Sequence, residues 1–191
     1  MNLNVYITEK NITTLGPGNR FGIWVQGCNR NCEGCVAKAS KNPSDGRLVH
    51  VGALAWEIIN ADVEGITISG GEPFLQAEAL SELIRKVRKM KDIGVIIYTG
   101  YLYEELTGVA GAEDLLKLTD LLIDGPYVKE LDDGKSLRGS SNQKVIPLTE
   151  RYAKHLGLYG TGERRTETFL HSDKINFVGI PNRVPRKEQP E

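Results

Sequence analysis

Apolar and polar positions change period several times along the chain, and each change marks an element. NVYIT (4–8) and FGIWVQG (21–27) are rich in β-branched and aromatic residues and read as strands. DGRLVHVGALAWEIINAD (45–62) carries Leu54, Ile58 and Ile59 at helical spacing, which predicts a helix. EGITIS (64–69) is a short buried strand running into GGEPFLQ. AEALSELIRKVRKM (77–90) is the clearest helix, with Leu80, Leu83, Ile84 and Val87 on one face and polar residues on the other. GVIIYTG (94–100), LLIDGPY (121–127), QKVIP (143–147) and KINFVGIP (174–181) read as further strands. LYEEL (102–106) and AEDLLKLTD (112–120) are short helical pieces between them.

The rhythm of strand, helix, strand, helix predicts an α/β fold with a parallel sheet covered by helices. In such folds functional residues gather on loops at the carboxyl ends of the strands. Four motifs fall at expected strand ends: GCNRNCEGC (27–35), GGEP (70–73), YTG (98–100) and DGP (124–126). No internal repeat and no linker interrupts the pattern, so one domain is expected over 1–182. Its part 150–182 is expected to add a hairpin or last strand through ETFLHSD and KINFVGIP, and RVPRKEQPE (183–191) reads as a loose tail.

Composition narrows the function classes. A chain of 191 residues with 40% hydrophobic and 26% charged residues has enough apolar material for one globular core. A net charge of -1 and a pI near 6.3 leave no electrostatic footprint for nucleic acid. No apolar run approaches membrane-spanning length, and MNLNVYITEKN lacks the basic and apolar regions of a signal peptide. A cytoplasmic protein with neither a nucleic-acid nor a membrane partner is expected.

The candidate chemistry lies in GCNRNCEGC, which holds all three cysteines of the chain: Cys28, Cys32 and Cys35. An odd, local set does not make a disulfide framework. In a reducing compartment, clustered thiols bind metal or do chemistry. Three thiolates would hold a 4Fe-4S cluster with one iron left open to a small molecule, since four Cys ligands are the usual complement. Structural zinc needs a fourth ligand, and His50, His155 and His171 are the only histidines. Buried core thiols are a third possibility, although Asn29, Arg30, Asn31 and Glu33 make the loop polar.

The spacing C-x₃-C-x₂-C, followed by a strand ending in GGEP, resembles the radical S-adenosyl-L-methionine (radical SAM) superfamily. The resemblance implies a curved, mostly parallel sheet of about six strands, a partial (β/α) barrel. It implies that Cys28, Cys32 and Cys35 ligate a 4Fe-4S cluster whose open iron is chelated by SAM. It implies that Gly70, Gly71 and Glu72 grip the methionyl amino group, and that Thr99 touches the methionyl carboxylate or the ribose. Glycines without Cβ atoms would let the backbone approach that ligand closely. Asp124 faces the same cavity or caps a turn.

A short chain, Gly27 before the first cysteine, SGGEP followed by FLQ, and LRGSSNQKVI (137–146) resemble the activating enzymes of glycyl-radical enzymes, above all the anaerobic (class III) ribonucleotide reductase activase. That likeness implies hydrogen abstraction from a glycine of a large glycyl-radical enzyme, with a flavodoxin or ferredoxin-type electron donor. It brings Arg138 and Asn142 toward the substrate side. Gly34 and Val36, expected beside the adenine, depart from the family, which carries aromatic residues before or after the third cysteine. The alternatives are a radical SAM enzyme acting on a small molecule or modified peptide, and a zinc-stabilised binding module.

Overall fold

The computed structural model describes residues 1–135 and 137–182; the tail expected over 183–191 lies outside the described residues. The chain forms β1 (Asn2–Ile12), β2 (Arg20–Val25), β3 (Arg47–His50) and α1 (Val51–Ile59). There follow β4 (Gly65–Gly70), α2 (Ala77–Arg88), β5 (Gly94–Tyr98), α3 (Ala112–Leu116) and β6 (Leu121–Asp124). The chain continues through β7 (Lys144–Pro147), α4 (Leu156–Thr161), β8 (Thr166–Leu170) and β9 (Ile175–Gly179).

Seven strands make one mixed sheet in the order β3-β1-β2-β4-β5-β6-β7, and β8 and β9 form a separate hairpin. The central strands β2, β4, β5 and β6 are parallel. Both flanks are antiparallel: β1 on β2, β3 on β1, and β7 on β6. The sheet is therefore wider and less parallel than the expected six strands. Of the flanking strands, NVYIT and QKVIP were expected, and only β3 escaped, because DGRLVH was read as helix. Arg47–His50 instead pairs with Asn2–Val5, and the helix starts only at Val51. His50 Nδ1 accepts from the Gly52 N–H, which caps the helix start.

The period-2 alternation of the strands sorts two cores. Val95, Ile97, Leu122, Ile66 and Ile68 join the cluster under the helices, with Leu54 and Ile58 of α1 and Leu115 of α3. Leu80, Leu83, Ile84 and Val87 of α2 are all fully buried there. Burial of each such side chain contributes about 1.5–3 kcal/mol. Ile96, Leu121 and Ile123 point the other way, onto Tyr152 and Tyr159. Ile12, Leu15 and Val178 of β9 make a third, smaller cluster. Helices thus cover one face, and the C-terminal region covers the other.

The register fixes where the motifs emerge. Val25 lies beside Gly70, Ile68 beside Ile97, and Tyr98 beside Ile123. The cysteine loop, GGEP, YTG and DGP consequently leave the sheet side by side on one rim.

Candidate metal and cofactor site

On that rim opens a cleft of about 350 Å³, within the range of small-ligand sites. Cys28, Cys32 and Cys35 all line it, together with Gly34 and Val36. The three thiols are free and half-buried. The loop that carries them is tied at its base: the Gly27 N–H donates to Ser40 O at 2.8 Å and the Cys28 N–H to Lys41 O at 3.0 Å. Within the loop the Arg30 N–H donates to Cys28 Sγ at 3.4 Å. Burial pushes the Cys28 thiol up, and the carboxylate of Glu72 and the other two cysteines push the same way.

Arg30 staples the loop to the neighbouring turn. Its guanidinium lies 4.1 Å from the Tyr101 ring centroid and its Nη2 is 2.7 Å from Glu105 Oε2. Asn29 Nδ2 donates to the Tyr101 hydroxyl at 2.7 Å. Gly34 adopts φ +72°, a conformation in which an aromatic side chain would be strained. That accounts for the missing aromatic before the third cysteine. Val36 is 65% exposed, an apolar side chain left at the cleft mouth.

The opposite wall is built around Glu72, which is almost completely buried. Its Oε1 accepts from the Thr99 hydroxyl at 2.7 Å and from the Phe74 N–H at 3.1 Å, and its Oε2 accepts from the Gly100 N–H at 2.8 Å. Thr99 Oγ1 in turn accepts from the Tyr101 N–H. The carboxylate therefore ties GGEP to YTG. Burial raises the Glu72 carboxyl above the usual range, while these donors and Arg30 pull it down. A carboxylate has about four acceptor positions, and these three donors take most of them.

Gly70 and Gly71 line the cleft, and their lack of a side chain also answers a packing need within the protein itself. A Cβ on Gly71 would sit 2.1 Å from Gly27 O, and one on Gly70 2.6 Å from the Val25 backbone. Gly70 also has φ +101°. The ends of β2 and β4 pack too closely for any side chain.

Three sequence candidates stand away from the cleft lining. Asp124 is fully buried and accepts from the N–H groups of Tyr103 and Lys144, so it joins loops. Arg138 pairs with Asp133 at 2.6 Å, and Asn142 Nδ2 donates to Pro126 O. From that segment it is Gly139 and Gln143 that line the cleft. Gln143 accepts from the Gly139 and Ser140 N–H groups and donates to Gly125 O. Trp24, Tyr98 and Tyr127 also line the cleft, with Ile180 and Pro181 beyond β9. Only the strand-end position of Tyr98 was a signal for any of these in the sequence.

The donor set fits an iron–sulfur cluster better than a single ion. Among the described residues no three His, Cys, Asp or Glu side chains converge on one ion position. A cluster spreads its thiolates over separate irons, whereas zinc needs every donor within about 2.0–2.3 Å of one point. Nor does any histidine line the cleft: His50 caps α1, His155 stacks on Tyr159, and His171 contacts Glu9.

The family model described as "4Fe-4S single cluster domain" matches residues 14–146. The anaerobic ribonucleoside-triphosphate reductase-activating protein of Enterobacteria phage T4 is 32% identical over 146 residues, covering 73% of this chain and 91% of that protein. The protein of the same name from Escherichia coli strain K12 is 34% identical over 146 residues, covering 70% and 91%. The pyruvate formate-lyase 1-activating enzyme of Escherichia coli strain K12 is 31% identical over 152 residues, covering 75% of this chain and 58% of that enzyme.

Proposed function

The chain belongs to the 4Fe-4S single cluster domain family, in the radical SAM group of glycyl-radical-enzyme activases, and on that premise we propose that it activates an anaerobic ribonucleotide reductase. Cys28, Cys32 and Cys35 would hold one 4Fe-4S cluster, leaving an iron for the amino and carboxylate groups of SAM. When bound and reduced, the cluster would supply the electron for reductive cleavage of SAM, the chemistry that would let a hydrogen atom be taken from a partner glycine.

The protein's own residues then bind and orient. The carboxylate of Glu72 suits the methionyl amino group, and Thr99 is held beside it. The backbone at Gly34 and the apolar Val36 are suited to the adenine edge of the cleft. Arg138 and Asn142 act by shaping the 137–146 segment, whose Gly139 and Gln143 border the cleft. The parallel run β2-β4-β5-β6, with its cleft on the carboxyl rim, supports the curved wall of a partial (β/α) barrel. Among the described residues no helix is long and apolar enough to cross a membrane. Free thiols at an oxygen-sensitive centre suit a reducing, cytoplasmic setting served by a flavodoxin or ferredoxin-type donor.

The observation that carries this proposal is a cleft lined by three cysteines and no histidine, faced by the Glu72–Thr99 tie. Electron paramagnetic resonance tests it. Reduced, cluster-loaded protein incubated anaerobically with SAM and an anaerobic ribonucleoside-triphosphate reductase should produce a glycyl-radical doublet. Formation of 5′-deoxyadenosine with no doublet would point instead to a small-molecule or peptide substrate.

A further inference from the structure

One side of the cysteine cleft comes from neither the cysteine loop nor GGEP. It is lined by Tyr127, Asp132, Gly139, Gln143 and Pro181, from separate stretches of chain. One buried side chain ties those stretches together. Arg164 lies between α4 and β8, beyond the family match, which ends at residue 146. Its side chain is only 1% exposed. Its Nη1 meets Asp132 Oδ1 at 2.7 Å and donates to Pro181 O at 3.2 Å. Its Nη2 donates to Arg138 O at 2.8 Å and to Gly139 O at 2.6 Å, and its Nε donates to Arg138 O at 3.2 Å.

The ties run on from Arg164 through the rest of this wall. Asp132 Oδ2 accepts from the Tyr127 hydroxyl at 3.1 Å, and its Oδ1 accepts from the Gly134 N–H at 3.1 Å. A Cβ on Gly139 would sit 3.0 Å from the Tyr127 ring, so the backbone there lies against the ring. The Gly139 N–H donates in turn to Gln143 Oε1 at 2.7 Å. A guanidinium is planar and presents its donors in a fixed fork, so these acceptors are held in one geometry; the point charge of a lysine cannot reach them together. Stability is a weak reason for such a residue. A buried ion pair is often replaced by well-packed apolar side chains without loss, whereas removing one partner alone is costly. What the pair supplies is a fixed arrangement of the segments it joins.

We propose that Arg164 is a positioning residue for the reaction in the cysteine cleft. Through Asp132, Gly139 and Pro181 it sets the wall beyond β6, and so makes the C-terminal part of the chain an integral part of the reacting site. The proposal rests on the activase function above. A hydrogen atom is transferred only between groups close to contact, so the position of this wall governs how many cleavage events reach the partner. A wall out of place separates the reacting atoms and admits competing hydrogen donors.

The test compares Arg164→Lys with the double variant Arg164→Met/Asp132→Asn, each in the full, cluster-loaded chain. The lysine keeps a charge beside Asp132 but loses the fork, and the double variant leaves neither member of the pair buried and charged, so both should melt near wild type. Two quantities are measured. One is the 5′-deoxyadenosine released per glycyl radical formed on an anaerobic ribonucleoside-triphosphate reductase. It should rise at least about tenfold in both variants, since a misplacement of ~1 Å can cost about 100-fold in rate. The other is hydrogen-exchange protection over residues 137–146, which should fall at least about tenfold as that segment opens locally. Arg165→Met, at an exposed position one residue away, should change neither quantity. A wild-type value of either quantity in a variant that folds overturns the proposal. Failure of both variants to fold overturns it as well, since Arg164 is then a structural residue only. If the wild type yields no glycyl radical, the activase function fails, and the exchange measurement alone decides for or against the wall.

Discussion

A methyl group is enough to separate the two roles open to Gly71. If the glycine served only ligand approach, Gly71→Ala would fold normally and lose SAM affinity. The structure puts the added Cβ 2.1 Å from Gly27 O, inside the protein's own backbone packing. Overpacking of that kind costs about 1–3 kcal/mol. For a chain of this size the ligand-free protein should melt roughly 2–12 °C lower, at about 2–4 °C per kcal/mol. An unchanged melting temperature in the ligand-free variant would leave ligand approach as the only role. Glu72 is comparable: its charge lies among the donors of Phe74, Thr99 and Gly100, so the residue builds the site as well as facing it. Sequence spacing found Glu72, because the motif is short and sits at a strand end. The ties to Thr99 and Gly100 were hidden, because they cross 27 and 28 residues of chain.

Among the elements, α2 was legible almost to the residue, since an amphipathic stripe has one geometric solution. The central parallel strands were legible for a similar reason, as apolar runs bounded by glycines. β3 was not: RLVH has three exposed positions and carries no periodicity to set it apart from the helix that follows. Its strand character comes from pairing with Asn2–Val5. In the 137–146 segment, residue type pointed to Arg138 and Asn142, while packing turned Gly139 and Gln143 to the cleft.

The hairpin makes a pH prediction. Burial alone would raise the carboxyls of Glu9 and Glu167, but the donors of Asn176 and His171, and of Thr13 and Thr14, outweigh it and hold both below the usual 4.5. A lowered carboxyl contributes stability that is present above its unfolded value and lost as pH falls through its folded value. Acidification below about pH 4.5 should therefore loosen β8–β9 before the sheet. Hydrogen-exchange protection factors would show a selective loss across Thr166–Gly179. Equal protection of hairpin and sheet down to global unfolding would refute this. Glu72, raised by burial, has the opposite sign, so its contribution is largest in acid and declines as pH rises.

At the scale of the whole molecule, the mixed sheet brings four sequence-distant turns to one rim. The three cysteines occupy one turn and the Glu72–Thr99 tie spans two others. An activase of glycyl-radical enzymes needs no acid–base pair of its own, because the bound cofactor supplies the reactive species. The central claim is that this rim supports reductive cleavage of SAM. The direct measurement is chromatographic quantitation of 5′-deoxyadenosine and methionine after anaerobic reconstitution with iron and sulfide, reduction and addition of SAM. The wild type should release the two in equal amounts, and replacing Cys28, Cys32 or Cys35 by Ser should abolish release. A reduced, cluster-loaded wild type that leaves SAM intact, or a Cys→Ser variant that cleaves it at the wild-type rate, would contradict the account.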